Sequence, residues 1–198
     1  NLNLDGTQHL TAAQFNTVPL QAKASIEVLD LTIEDVRGFD LSGFTNLKTL
    51  TLWRVRNLTA MQFNTIPLQA KASIESLDLT GVDVKDFDFS GFTNLKNLNL
   101  ESAQGLTANQ FNTIPVETKA SIETLGLNYL NVRDFDLSGF TNLKTLELIG
   151  KKYLIADQFN AISPQAKASI EHLNLKGIDI TDFDFSGFTN LIKMNLEN

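Results

Sequence analysis

Carboxylates are the residues of this chain best suited by type and spacing to do chemistry. Asp30 and Asp78 hold equivalent places in the near-copies "VLDLT" and "SLDLT", and Glu101 and Glu147 hold similar places in "NLNLES" and "LELIG". On next-but-one strands such pairs stand about 10 Å apart, near the separation that inverting glycosidases put between acid and base. Acid-base work also needs a water-excluding pocket that raises one pKa, and an open sheet has none, so these carboxylates read as a solvated acidic face. "DFDFSG" at residues 86–91 sets Asp86 and Asp88 one residue apart. A calcium ladder would need six to eight oxygens per site, and turn capping is the preferred reading. His172 falls near Glu147 and Lys176, but the other histidine, His9, is at the far end of the chain, and there is no cysteine. No nucleophile, zinc site or cofactor motif can be assembled, and the expectation is a protein without enzymatic activity, metal or cofactor.

The elements that must carry these groups come from a repeat. "FDFSGFTNLK" at 87–96 has close copies beginning at Phe39, Phe135 and Phe183, 48 residues apart. Within each 48, the apolar spacing of "LKTLTL" (Leu47 to Leu52) and "IESLDL" (Ile74 to Leu79) recurs at alternating steps of 27 and 21 residues. Each such segment sets two aliphatic side chains two residues apart, as a short strand with one buried face does. Fixed self-similarity over tens of residues marks a solenoid. Copied letters are expected to pack against their own copies in the next unit, so that all 14 phenylalanines are core. The longer units carry helix starts: Thr11 with Gln14, Thr59 with Gln62 and Thr107 with Gln110 fit capping boxes, whereas Ile155 replaces the threonine in the last copy. Pro19, Pro67 and Pro115 close one helical turn and open another near its first position; Pro164 stands one residue later.

"LxxLxL" at these intervals resembles the leucine-rich repeat family along the whole of residues 1–198, in a bacterial-type form with alternating units. The resemblance implies an α/β fold: one right-handed solenoid, with a parallel sheet of nine strands on a concave face and short helices and turns on the convex face. The domain is four double repeats plus a terminal strand, expected to lack caps at both ends, which leaves end-to-end self-association open. One departure stands out. The family places Asn or Cys three residues after the second strand leucine, where this chain has Thr7, Val55, Ala103 and Lys151 in long units and Glu34, Val82, Leu130 and Ile178 in short ones. The Asp40/Asp88/Asp136/Asp184 and Asn46/Asn94/Asn142/Asn190 columns are expected to satisfy the turn backbone instead.

Positions between and beside the paired leucines vary from unit to unit, and they are expected to point outward. Trp53, the only tryptophan, stands where sibling units hold Asp5, Glu101 and Ile149, and Arg54 and Arg56 flank it. Trp and Arg are enriched among residues that carry binding energy; the alternative is an indole folded over the end of the core beside Val55. The candidate partner-binding set is Thr51, Trp53, Arg54, Asp78, Asn99, Glu101, Asn128, Tyr129 and Glu147. The functional expectation is a protein-interaction module whose partner bears a basic patch; the alternative is a structural or designed repeat scaffold, or a fragment of a longer stalk. A net charge of −7 and a pI near 4.8 oppose nucleic-acid binding, and no apolar run of about 18 residues offers a membrane span. The absence of cysteine does not set the compartment, and a secreted or cell-surface bacterial setting is favoured over the cytoplasm. The sequon Asn57-Leu58-Thr59 is at chance frequency.

Overall fold

The computed structural model describes residues 1–4, 10–32, 35–150 and 154–197, so Asp5, Thr7, His9, Glu34 and Lys151 lie outside the described residues. The described strands are β1 (Leu2–Asn3), β2 (Val28–Asp30), β3 (Thr49–Thr51), β4 (Ser76–Asp78), β5 (Asn97–Asn99), β6 (Thr124–Gly126), β7 (Thr145–Glu147), β8 (His172–Asn174) and β9 (Lys193–Asn195). They form one parallel sheet in chain order. Strands of two or three residues have no independent stability. Here each interior strand is hydrogen-bonded on both sides, and its central leucine lies in one level row with Leu29, Leu50, Leu77, Leu98, Leu125, Leu146 and Leu173. Every leucine of that row is buried. The result is an open, leucine-rich-repeat-like solenoid.

Every second connection carries two short helices: α1 (Ala12–Asn16) and α2 (Leu20–Ser25), α3 (Ala60–Asn64) and α4 (Leu68–Ser73), α5 (Ala108–Asn112) and α6 (Val116–Ser121), α7 (Ala156–Asn160) and α8 (Pro164–Ser169). Helices of five or six residues are far below the length that is stable alone, so caps and packing make them. Thr11 and Thr59 form reciprocal capping boxes with Gln14 and Gln62. At α5 only half of the expected box is present, Thr107 accepting from the Gln110 amide, and Ile155 supplies no side-chain cap to α7. Pro19, Pro67 and Pro115 are the N-caps of their helices, one place ahead of the expected first turn. At α8 the shifted Pro164 does take the first turn, and the Ser163 hydroxyl caps it.

The core corrects two expectations. Ring contacts fall within each 48-residue block instead of between copies: Phe15 stacks on Phe39, Phe63 on Phe87, Phe111 on Phe135 and Phe159 on Phe183, at 4.2 to 4.4 Å between centroids. Besides the aliphatic core, side-chain bonds to backbone join block to block. Gln62, Gln110 and Gln158 each reach back to two carbonyls of the preceding block, and Ser73, Ser121 and Ser169 each reach a third. Nor are all phenylalanines fully core: Phe183 and Phe185 are only partly buried, because no described unit comes after theirs.

The turn backbone is satisfied by the expected columns and by one more. Asp40, Asp88, Asp136 and Asp184 accept from the amide two residues on, and the Asn46 column donates to helix carbonyls. An asparagine ladder also exists, displaced to the helix ends. Asn16, Asn64, Asn112 and Asn160 accept from the amides of those four aspartates and donate to the carbonyls of Gly38, Asp86, Asp134 and Asp182.

Candidate functional site: the strand face

Register places the outward residues in level rows. One row runs Asp30, Thr51, Asp78, Asn99, Gly126, Glu147, Asn174, Asn195. Asp30 and Asp78 are thus level, with Thr51 between them. Glu147 is level with Asn99 and not with Glu101, which stands two residues further along its segment. Most members of the row cap the turn at the end of the strand: Asp30, Asp78, Asn99, Asn174 and Asn195 each accept from the amide two residues on. These short polar side chains therefore have a local duty whatever else they do.

Gly126 breaks the row. Its missing side chain leaves a hollow of about 280 Å³ lined by Asp78, Asn99, Glu101, Asn128 and Glu147, with Ser76, Asn97 and Thr124. Asn99 leans over the gap, its Oδ1 only 2.6 Å from where a Cβ on Gly126 would sit. Five of the nine candidate residues therefore meet around one depression. Its walls are cross-linked: Asn128 donates its amide to Glu101 Oε2 at 3.1 Å and accepts from the Ile149 amide at 2.8 Å, while Asn174 donates to Glu147 Oε2 at 2.7 Å. This network buries Asn128 to 8% exposure, a correction to the expectation that it points outward; Thr80 and Thr32 are buried likewise.

The other four candidates stand beside the hollow. Thr51 is half-buried between the two aspartates. Trp53 is half-buried, Arg54 is exposed, and the guanidinium of Arg54 lies 4.8 Å from the indole centroid, within cation–π range. Tyr129 is 63% exposed and leaves from β6, three strands from β3, so it sits about 14 Å from the Trp53 strand.

Arg54, Ser102 and Tyr129 share a feature that side-chain chemistry did not reveal. All three are left-handed, with φ of 54°, 55° and 62°, in the turn column where Gly81, Gly150 and Gly177 stand in other units. The fold demands that conformation, since the column's amides continue the ladder: Arg54 N donates to Thr80 O and Tyr129 N to Ile149 O, both at 2.7 Å. The glycines in sibling units were the readable signal. Among the described residues no group of three or more His, Asp or Glu could hold a metal ion, and no described helix is long and apolar enough to cross a membrane.

No family model matches the chain, and no curated protein matches it in sequence. A solved structure, the functional domain of InlJ from Listeria monocytogenes, which includes a cysteine ladder, is similar to it with a TM-score of 0.42 and 13% identity, over 90% of this chain and 55% of that one. The chain spans about half the length of that structure, and it has no cysteine of its own.

Proposed function

We propose that the strand face binds a protein partner through basic side chains seated in the hollow over Gly126, with Trp53, Arg54 and Tyr129 as flanking anchors. The observation that carries this reading is Tyr129. A bulky residue in the left-handed region costs about 1–2 kcal/mol, glycine serves the same column in three other units, and the ring is left 63% exposed. Strain kept at an exposed aromatic points to a use outside folding. The hollow beside it offers carboxylates and amides already fixed by mutual hydrogen bonds, so a cation entering it orders little.

The reading is tested by selecting binders from a displayed random-peptide library on the immobilised chain. Selected peptides are expected to be rich in Arg and Lys. Tyr129→Gly is expected to stabilise the fold by about 1 kcal/mol while weakening those peptides about tenfold, and Glu101→Gln with Glu147→Gln to weaken them further. Peptides that bind a Trp53→Ala, Tyr129→Gly, Glu147→Gln variant as tightly as the parent would sink the reading. A scaffold without a ligand is the second reading, favoured by one observation: the turn-capping bonds of Asp78 and Asn99 account for those residues without a partner.

A further inference from the structure

We infer that a row of exposed aliphatic side chains on the helix side of the solenoid docks an amphipathic helix of a partner protein, one that carries lysine or arginine beside its apolar face. Leu20, Leu68 and Val116 are the first residues of α2, α4 and α6, and they are 65%, 70% and 63% exposed. Among the described residues, three of the eight exposed large apolar side chains thus share one column. Leu68 and Val116 belong to blocks with a described block on either side and are as exposed as Leu20, so the exposure is a property of the unit. So little of each side chain is covered that folding does not require an apolar residue there. The column of Met61 shows what an exposed position without a duty does: it reads Ala13, Met61, Asn109 and Asp157, all exposed. The leucine column reads Leu20, Leu68, Val116 and Pro164, apolar in every block.

Spacing and charge select the occupant. Both leucines rest on bare backbone, with Cδ2 3.2 Å from where a Cβ on Gly43 or Gly91 would sit. Two strand spacings separate successive members of the row, about 10 Å where the stack is straight. An extended segment repeats its side chains on one face about every 7 Å and misses that interval, whereas every seventh residue of an α-helix rises about 10.5 Å and meets it. Beside the row runs a second one, of Asp40, Asp88 and Asp136. The Lys71 stem joins the two, lying 3.5 Å from the same Gly91 position as Leu68 and carrying its ammonium to 3.6 Å from Asp88 Oδ2. The lysines of these pairs are 1–4% exposed and the carboxylates 46–51%, so the charge that these two rows show to solvent is negative. The same rows of a second copy of this chain would answer with carboxylates alone. A helix with Lys or Arg four residues from each apolar one brings a cation to the same face.

The probe is a fluorescein-labelled synthetic peptide of three heptads, with leucine at the first position of each, lysine at the fifth, and alanine and glutamine elsewhere. It is expected to bind the parent chain and to gain helical circular dichroism as it does so. Leu68→Gln is expected to weaken it about tenfold, and Leu20→Gln, Leu68→Gln and Val116→Gln together to abolish binding; changes at such exposed positions leave the fold intact. A peptide with glutamate for lysine, or one of the same composition with its leucines unevenly spaced, is expected to bind about tenfold more weakly or worse. Trp53→Ala with Tyr129→Gly is expected to leave the affinity unchanged. Binding lost in that double variant and kept in the triple one would put the peptide on the strand face and overturn the inference while leaving the proposed function standing. Failure of the peptide to bind, equal binding by the unevenly spaced peptide, or a parent dimer in light scattering that Leu68→Gln dissolves would each overturn it as well.

Discussion

A single hydroxyl separates the weakest helix start from its siblings. In α1 and α3, Gln14 and Gln62 accept through Oε1 from the amide and hydroxyl of the capping threonine. At α7 Ile155 is 46% exposed and has no hydroxyl to give. Gln158 still donates through Nε2 to Val132 and Phe135, but its buried Oε1 has no partner. An unmade bond at a buried polar atom costs more than an average bond contributes. Ile155→Thr restores both the cap and the acceptor's partner, and it is expected to raise stability by about 1 kcal/mol, read as a higher urea midpoint at unchanged slope. A lower midpoint would mean that the Ile155 side chain is worth more in packing than the cap it displaces.

Each helix-bearing connection hides a cation. Lys23, Lys71, Lys119 and Lys167 are buried, their ammonium groups donating to the carbonyls of Asp40, Asp88, Asp136 and Asp184 and lying 3.5 to 3.8 Å from the carboxylates. Two phenylalanine rings face the ammonium at Lys23, Lys71 and Lys119, and Phe188 faces that of Lys167. All four carboxyls titrate below the ordinary 3.8. At Asp40, Asp136 and Asp184 the hydroxyl of the serine two residues on is the main cause, whereas at Asp88 desolvation is the largest influence and opposes, and the Ser90 bonds with Lys71 overcome it. A carboxyl whose folded pKa is depressed leaves the unfolded chain binding more protons. Its stabilisation is therefore complete above about pH 4 and disappears as pH falls through the folded value. The urea midpoint is expected to hold level from neutrality to about pH 4 and to fall below it, less steeply in an Asp40→Asn, Asp136→Asn variant; equal slopes would remove these carboxyls as the cause. The lysines also mark where reading from sequence stopped. Paired leucines announced the strands because a period of two has one physical cause, and threonines announced helix starts because a cap is local. A lysine in "QAKAS" resembles any surface lysine, and its burial depends on an aspartate 17 residues on. The Asn16 ladder depends likewise on a bend 24 residues away. In the candidate site the variable columns were legible, but the burial of Asn128 was not, since Glu101 on the neighbouring segment creates it.

Across the whole molecule each unit touches its neighbours alone, so stability is a sum of unit and interface contributions. Position in the array then decides what an identical change costs. Phe87 and Phe183 are the same residue in the same column, stacked on Phe63 and Phe159 at 4.2 and 4.4 Å. Their surroundings differ on the C-terminal side. Phe87 is 3% exposed, and the next block covers it, with Gln110 donating to its carbonyl at 3.0 Å; Phe183 is only partly buried. Phe87→Ala is expected to cost about 3–5 kcal/mol and Phe183→Ala about half that, when both are measured by urea unfolding. Equal costs would show that ring stacking inside a block, and not cover from the next one, sets the strength of each unit; the independence of neighbouring interfaces would then fail at its root.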